Sequence, residues 1–335
     1  MTTPALPPAL DEKERRENEA RTDQLIGLIK SGEAVLFVGS GSSAQVGHVT
    51  WGLLLENLET LAVECGGSFT KDRALRENDP LIYAQAIRNH IGSVDSNLAR
   101  YYNKLYDLFK PRKPPYSMLH KELVSLPFRA IVTTNYDMVL EHALGGPDNS
   151  LVVKELAAPV REFLLSIADA TMTKRVAHLH GRYDDLDEII LTSSDYEKTY
   201  GFSLAHGAFK DEKWTLHRKL IWALLATRRV VFIGFGLKDP YMMTMLDVVS
   251  RDLWFWDRAT HFAIMDISAQ NAAQVKRRAE ELKRKLGIDV VFYETTDNSH
   301  RGLDVLVTDL AYRVLRPAPT TLLDDINSRM LQGPE

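Results

Sequence analysis

The sequence predicts an α/β protein built on a doubly wound, mostly parallel sheet with a helical insert. Short apolar runs rich in Val, Ile and Phe recur along the chain, as expected for strands buried on both faces of a sheet. Segments with apolar residues at helical spacing separate most of these runs. Several runs end in small and polar residues, and open parallel sheets bind their ligands at the carboxyl ends of the strands.

The predicted elements alternate along the chain. Strands are expected at residues 34–38, 129–133, 175–180, 188–192, 229–233, 260–265 and 289–293. Helices are expected at residues 12–29, 50–64, 79–91, 94–110, 240–249, 268–286 and 322–331. Asp239 with Pro240, and Ser268 with Gly287, supply the start and stop signals of two of these helices.

The spacing of the strands predicts one large domain with insertions. About ninety residues separate the first two strands, which is too long for a single crossover. We therefore expect a helical insert at about 68–125, and a second excursion at about 194–228 whose Trp214 and Trp222 pack over the cleft. Residues 1–30 are expected to form an N-terminal helix, residues 31–315 the main domain and residues 316–335 a tail with a short helix.

Composition excludes several classes of protein. The net charge of -4 provides no global attraction to nucleic acid or anionic membranes. The longest apolar stretch, 220–226, is far shorter than the roughly 20 residues that span a bilayer, and the start of the chain lacks a secretory signal. The single cysteine, Cys65, excludes an intrachain disulfide and any zinc module with three or four Cys ligands. These features predict a cytoplasmic protein without a metal, a membrane contact or direct nucleic-acid binding.

Two glycine-bearing turns follow predicted strands. Residues 39–44 (GSGSSA) fit the G-x-G-x-x-A form of the dinucleotide fingerprint, in which backbone amides approach a pyrophosphate. Residues 234–240 (GFGLKDP) form a second such turn. Either turn also fits a plain strand-to-helix connection, with Asp239 as a helix cap. The acidic residue that ordinary dehydrogenases carry about 20 residues later is missing, because the region around Glu59 is predicted to be helical.

Two further strand ends carry candidate functional side chains. In residues 133–137 (TTNYD), Asn135 and Asp137 suit hydrogen bonding to a ribose or a carboxamide, or they cap the helix that follows. His180 ends a strand, where a neutral imidazole with an ordinary pKa of about 6.5 can accept a proton. His178 lies on the same strand face, and we interpret it as structural. A His-x-His metal site remains an alternative, without a convincing third ligand in the sequence.

Taken in order, the motifs VGSGSS, TTNYD, HLHG and GFGLKDP resemble the sirtuin-like superfamily, specifically its bacterial branch of defence-associated NAD hydrolases. The resemblance covers residues 30–310 and implies a Rossmann-like domain that binds NAD+ as its substrate. Deacylating sirtuins carry a four-cysteine zinc ribbon, which this chain cannot build, and an arginine-containing segment that residues 48–51 replace here. Deacylation is therefore disfavoured.

The resemblance also implies roles for individual residues. Asn135 and His180 correspond to catalytic positions, and Asp137 to one facing the nicotinamide carboxamide. The remaining binding positions are Gly39, Ser40, Gly41 and Ser42 at the pyrophosphate, Gly234, Phe235 and Gly236 at the adenosine ribose, and Trp51, Thr133, Asp239 and Tyr293 elsewhere in the site.

The implied activity is hydrolysis of NAD+ to nicotinamide and ADP-ribose by a regulated, NAD-depleting effector of anti-phage defence. The implied partners are further copies of the chain and an activating ATPase or Argonaute-like subunit. Two alternatives stay open: an NAD or ADP-ribose sensor without turnover, and an NAD-dependent deacylase or ADP-ribosyltransferase. Lys238 fits either a 2′-phosphate contact, as in NADP, or a solvated side chain.

Overall fold

The structure is a computed structural model, and it describes residues 9–153, 157–169, 171–203, 208–209, 214–253, 261–295 and 300–316. The strands are β1 (Val35–Val38), β2 (Ala130–Thr133), β3 (Ser150–Val152), β4 (Val176–His178), β5 (Phe202–Ser203), β6 (Ala208–Phe209), β7 (Val230–Ile233), β8 (His261–Ile267) and β9 (Ile288–Glu294). The first helices are α1 (Glu12–Lys30), α2 (Ser40–Ser43), α3 (Trp51–Glu64), α4 (Arg73–Asn78), α5 (Pro80–Val94), α6 (Ala99–Phe109) and α7 (Met118–Ser125). The later helices are α8 (Val139–Leu144), α9 (Ala157–Ala168), α10 (Ser193–Tyr200), α11 (Leu216–Thr227), α12 (Pro240–Asp252), α13 (Ala272–Leu286) and α14 (Arg301–Leu315).

The main sheet is parallel and has seven strands in the order β3-β4-β2-β1-β7-β8-β9. Strand β1 therefore has β2 on one side and β7 on the other. Strand order reverses at this point, and a crevice opens where the connections leave in opposite directions. The doubly wound, mostly parallel α/β prediction is confirmed, and the site is expected at the carboxyl end of β1.

Alternating side chains of the central strands fill two cores, one on each face of the sheet. Val35 and Phe37 belong to the first core, with α11 and α12, whereas Leu36 and Val38 belong to the second, with α1, α7 and α14. This alternation is the period of two expected of a strand. Because both faces are covered, the strands read as continuous apolar runs in the sequence.

The insert after β1 forms a third apolar cluster above the carboxyl ends of the strands. Helices α3, α5 and α6 pack there around Leu58, Ile87 and Leu105, and Tyr136 joins them from the end of β2. Helix α7 does not belong to this layer, because its Leu119 and Leu123 pack in the second core under the sheet. The helical insert thus ends before α7, earlier than residue 125.

The N-terminal helix is integrated into the sheet layer. In α1, the side chain of Asn18 donates a hydrogen bond to the carbonyl of Phe292 (2.9 Å) and accepts one from the Phe292 amide (2.8 Å). The buried residues Leu25 and Ile29 of α1 fill the second core. Helix α1 therefore packs as part of the main fold. Within the described residues, no helix is long and apolar enough to cross a membrane.

Several predicted elements need correction. Residues 188–192 are not a strand, because the Ile190 amide bonds to the His180 carbonyl (3.0 Å) and the Ile190 carbonyl accepts from the Tyr136 hydroxyl (2.8 Å). The helix predicted from Ser268 begins at Ala272, since Asn271 accepts a hydrogen bond from the Ser268 amide (2.7 Å). The edge strand β3 and the β5-β6 pair were not predicted. The helix predicted at 322–331 lies outside the described residues.

Candidate active site

A cavity of about 600 Å³ lies at the carboxyl ends of the central strands. Its floor comes from the connections that follow β1, β2, β4 and β7, and its roof from the helical insert. Four motifs that are far apart in the sequence thus meet in one space. The predicted site residues in its lining are Ser40, Trp51, Asn135, Asp137, His180, Gly234, Phe235, Gly236 and Asp239.

The two glycine turns contact each other directly at the edge of this cavity. The Gly39 amide donates to the Ile233 carbonyl (2.9 Å) and the Gly41 amide donates to the Gly234 carbonyl (3.0 Å). A Cβ atom on Gly39 would lie only 2.5 Å from the Gly234 oxygen. Glycine is required here because two backbones approach closely. The amides of Gly39 and Gly41 are therefore used to join the turns, and Ser40 is the residue of the first turn that lines the cavity.

A chain of hydrogen bonds fixes the side chain of Asn135. The Ser43 hydroxyl donates to Oδ1 of Asp137 (3.1 Å), so its oxygen is available to accept from Nδ2 of Asn135 (3.1 Å). The Val139 amide, at the start of α8, also donates to Asp137 Oδ1 (3.1 Å). Because the Ser43 hydroxyl donates to Asp137, its oxygen must accept from Asn135, so the nitrogen of the Asn135 amide faces Ser43. Its Oδ1 is thereby left as an acceptor for a water or a sugar hydroxyl.

Asp137 serves two purposes in this arrangement. It bonds to the first amide of α8, as the capping interpretation predicted, and it also lines the cavity. Burial raises the pKa of Asp137, and the neighbouring His48 and the hydrogen bonds from Val139 and Ser43 only partly oppose this effect. A buried carboxyl group at the cavity wall suits a polar, uncharged partner such as an amide.

His180 lines the same cavity from the end of β4. Its side chain is buried against Tyr196 and Tyr200, with ring centroids 5.4 and 5.9 Å away. Burial, together with the nearby His217, lowers the pKa of His180 to about 3. The imidazole is therefore neutral at physiological pH. A neutral base fits beside a cationic substrate, which an imidazolium would repel.

The insert and helix α10 close the cavity from the other side. Trp51 at the start of α3, Arg76 of α4 and Phe109 of α6 line it. Tyr196 of α10 lines it as well, and its hydroxyl donates to Oδ2 of Asp239 (2.5 Å). Asp239 in turn accepts from the Met242 amide (2.7 Å), which confirms it as the N-cap of α12.

Some predicted site residues do not reach the cavity. Thr133 is buried and its hydroxyl donates to the Val38 carbonyl (2.8 Å), while Ser42 donates to the Gly39 carbonyl (2.9 Å). Both hydroxyls therefore shape the turns. Tyr293 lies on β9 near the edge of the sheet, packs against the second core and bonds to Nδ1 of His300 (3.0 Å).

The two tryptophans predicted to cover the cleft also lie elsewhere. Trp214 is 43% exposed, with the Arg218 guanidinium 4.2 Å from its ring centroid, and Trp222 donates to Asp252 (2.8 Å). Tyr196 takes the covering place in this second excursion. Neither tryptophan lines the cavity.

Sequence reasoning missed Ser43, Arg76, Phe109 and Tyr196. Ser43 belongs to the VGSGSS motif, so a signal was available for it, whereas Tyr196 falls in the excursion expected at about 194–228. Arg76 and Phe109 come from the insert, whose docking position no local pattern reveals. In the part of the chain that the structure describes, no group of three or more His, Cys, Asp or Glu side chains is arranged to hold a metal ion.

Comparison with known proteins shows what this chain is similar to. Residues 129–291 match the model of the SIR2-like domain. NAD(+) hydrolase ThsA from Bacillus cereus (strain MSX-D12) is 30% identical over 257 residues, which cover 75% of this chain and 45% of that protein. NAD(+) hydrolase ThsA from Enterococcus faecium is 27% identical over 237 residues, which cover 71% of this chain and 44% of that protein.

A third relative, Defense-associated sirtuin 2 from Bacillus subtilis, is 25% identical over 229 residues, which cover 66% of this chain and 20% of that protein. The chain spans less than half the length of the curated relatives it matches. The region that matches the SIR2-like domain contains the ends of β2, β4 and β7 that line the cavity, whereas the first glycine turn precedes it. Residues 129–291 of this chain are thus similar to the SIR2-like domain, and the resemblance to the defence-associated, sirtuin-like branch is confirmed.

Proposed function

We propose that this chain binds NAD+ and hydrolyses the bond between nicotinamide and ribose, releasing nicotinamide and ADP-ribose. One observation carries the proposal: the Asn135 amide and the His180 imidazole, from different strand ends, line a single cavity together with the two glycine turns. Two of the relatives are named as NAD(+) hydrolases, which supports the same activity.

The reaction needs positioning and a proton acceptor. The bond between C1′ and the ring nitrogen breaks, and the nitrogen keeps the electron pair, so the pyridinium leaves as neutral nicotinamide without an acid. The ribose then carries a developing positive charge at C1′. The oxygen of a water molecule bonds to C1′, and its proton must pass to a base. Binding the ribose and the water in line supplies much of the rate enhancement.

The cavity residues suit these tasks. The free Oδ1 of Asn135 accepts a hydrogen bond from the water or a ribose hydroxyl, and its polarity stabilises the developing cation. His180 is neutral and accepts the proton once the oxygen of the water has begun to bond to C1′, because the attacking water is then a far stronger acid than an imidazolium with a pKa of about 3. Asp137 bonds to the nicotinamide carboxamide. Ser40 and the second turn, with Gly236 and Lys238 exposed at the cavity, contact the pyrophosphate and the adenosine ribose.

A regulated enzyme fits this chemistry best, because uncontrolled hydrolysis would remove the NAD+ of a healthy cell. We propose that the enzyme acts in the cytoplasm as a NAD-depleting effector of anti-phage defence; the role in defence agrees with the name of the Bacillus subtilis relative, Defense-associated sirtuin 2. Activation is assigned to assembly of further copies of the chain or to a protein partner, an ATPase or an Argonaute-like subunit.

The test is to incubate the purified protein with NAD+ and to separate the products by chromatography. We expect nicotinamide and ADP-ribose in equal amounts, and we expect Asn135→Ala and His180→Ala to fold normally and to release no nicotinamide. Lys30→Ala, in α1 on the other side of the sheet, is the matched control and should keep the wild-type rate.

The alternatives give different results. Binding of nucleotide without consumption, under every activating condition, would identify a sensor. Loss of NAD+ only in the presence of an acylated or acceptor protein would identify a deacylase or transferase. Unchanged turnover in either the Asn135 or the His180 variant would refute the assigned chemistry.

A further inference from the structure

Two fully buried ionisable side chains lie directly behind Asn135. His178 of β4 and Glu141 of α8 are both 0% exposed, and Nε2 of His178 is 2.5 Å from Oε1 of Glu141. The other ring nitrogen, Nδ1, is 2.8 Å from the backbone carbonyl of Asn135. Ser150 of β3 donates a second hydrogen bond to Glu141 Oε1 (3.0 Å). Neither His178 nor Glu141 lines the cavity.

The partners of His178 determine where its protons lie. A backbone carbonyl can only accept, so Nδ1 of His178 must carry a hydrogen. Nε2 faces an oxygen of Glu141, and a contact of 2.5 Å requires a proton between them. The pair therefore holds one proton more than a neutral imidazole and a carboxylate. Burial alone lowers the pKa of His178, but the charge of Glu141 and the hydrogen bonds that the ring donates to Glu141 and to the Asn135 carbonyl outweigh burial, and the pKa lies above its ordinary value.

The peptide of Asn135 depends on side chains for both of its hydrogen bonds. Its amide donates to the Thr133 hydroxyl (3.0 Å), and its carbonyl accepts from His178. The parallel pairing of β2 with β4 ends at Thr133 and His178, so Asn135 lies beyond the paired strand. Removing the imidazole leaves a buried carbonyl unpaired, which drives the peptide to rotate. Rotation would carry the Asn135 side chain away from Ser43.

We propose that His178 and Glu141 form a positioning pair, which holds the Asn135 peptide so that its side-chain amide faces the reacting ribose. This inference rests on the proposed role of Asn135 in NAD+ cleavage. The pair touches no substrate and acts through Asn135 alone. Most of the cavity wall, including the second glycine turn and helices α3 and α4, comes from other elements, so loss of the pair should affect turnover far more than binding.

Two substitutions at His178 separate the positioning role from simple burial. In His178→Asn the amide nitrogen takes the place of Nδ1 and keeps the donor to Asn135, whereas in His178→Gln it takes the place of Nε2. We expect His178→Gln to lower kcat by up to about 100-fold, as a displacement of about 1 Å can do. KM should change by less than about threefold, because the lost contact acts in the transition state. His178→Asn should recover most of the turnover.

Substitution of Glu141 tests the assignment of the protons. In Glu141→Gln the new amide group donates to Nε2, and a neutral imidazole with its hydrogen on Nδ1 keeps the bond to Asn135. We expect this variant to retain most of the wild-type kcat. If His178→Gln fails to fold, Glu141→Ala removes the partner that orients the imidazole through Nε2 and should lower kcat several-fold at unchanged KM.

His261 supplies a matched control for the loss of a buried histidine. It lies at the start of β8, at the opposite end of the sheet, where its Nδ1 accepts a hydrogen bond from the Val230 amide (3.1 Å). His261→Gln should lower the melting temperature and leave kcat and KM unchanged. An equal fall of kcat in the His178→Gln and His261→Gln variants would overturn the proposal.

A second readout does not depend on turnover. The side-chain amide signal of Asn135 in a nitrogen-15 NMR spectrum can be assigned by its loss in Asn135→Ala. We expect the signal to move in His178→Gln and to stay close to its wild-type position in His178→Asn and Glu141→Gln. An unmoved signal in His178→Gln overturns the positioning pair. Failure of the wild-type protein to release nicotinamide would count against the proposed function, and the NMR result would still decide on the pair.

Discussion

A single methyl group at Gly39 should disrupt the junction between the two glycine turns. A Cβ atom at this position would lie 2.5 Å from the Gly234 oxygen and 2.6 Å from the Phe235 Cα, and ordinary contacts begin at 3.4 Å. These neighbours are backbone atoms and cannot rotate away. The two turns must therefore separate by roughly 0.9 Å, a degree of overpacking that typically costs about 1–3 kcal/mol.

The separation also weakens the hydrogen bonds that join the turns. The bonds from Gly39 to Ile233 (2.9 Å) and from Gly41 to Gly234 (3.0 Å) both cross the junction. Each contributes about 0.5–1.5 kcal/mol. We expect Gly39→Ala to lower the free energy of unfolding by about 2–6 kcal/mol in total, with the upper end reached if both hydrogen bonds are lost. Binding of NAD+ should weaken in parallel, because the junction forms one wall of the cavity.

The assay is urea denaturation followed by circular dichroism, with NAD+ binding measured by calorimetry. Gly27→Ala is the control: Gly27 is exposed within α1, and an added Cβ meets no atom within 4 Å. Glycine in a helix interior is less stable than alanine by about 0.5–1 kcal/mol, so this variant should gain stability. A loss below about 0.5 kcal/mol in Gly39→Ala, a size usual for surface substitutions, would refute the close approach of the turns.

Two further predictions concern stability. Burial lowers the pKa of His261 to about 4 in the folded protein, below the unfolded value of about 6.5, so the unfolded chain binds more protons between these values. The stability that His261 contributes is full above pH 6.5 and falls by up to about 1.4 kcal/mol per pH unit toward pH 4. In denaturation experiments from pH 7 to 4.5, His261→Gln should lack this fall. An equal pH dependence of stability in the wild-type protein and the variant would contradict the assignment. Asp195 accepts from Arg88 (2.9 Å) and from the Thr192 hydroxyl (2.7 Å), joining α5 to the start of α10, so Asp195→Asn should lower the free energy of unfolding by about 1–3 kcal/mol. The exposed pair of Asp107 with Lys110 is the control, since solvent screens such a pair and Asp107→Asn should leave the melting temperature almost unchanged; equal melting temperatures for the two variants would disprove the link.

The sequence located most of the sheet because its central strands are buried on both faces. Residues 35–38, 130–133 and 230–233 are four-residue strands without an exposed side chain. A short run of apolar residues of this kind is typical of a buried strand or of a buried helical segment. Edge elements carried a weaker signal. Strand β3 has three residues with a half-buried pattern and was missed.

The candidate site was predictable wherever function and strand ends coincide. Asn135, Asp137 and His180 were identified because polar residues directly after apolar runs must lie at one edge of a parallel sheet. The contributions of the insert were not predictable, because the way in which α3, α4 and α6 pack over the strands depends on contacts between distant segments. Tyr293 differs from these residues: the resemblance implies a position in the site, but Tyr293 lies on the edge strand β9 and packs against the second core.

The sequence by itself determined the fold class, the strand ends that carry chemistry and the resemblance to sirtuin-like proteins, because these depend on local periodicity and on short motifs. Only the tertiary structure decided which atoms are engaged. It showed that Gly39 and Gly41 join two turns, that Ser43 orients the Asn135 amide, and that burial keeps His180 neutral. Hydrogen-bond partners and desolvation depend on neighbours from distant segments, so no local pattern could reveal them.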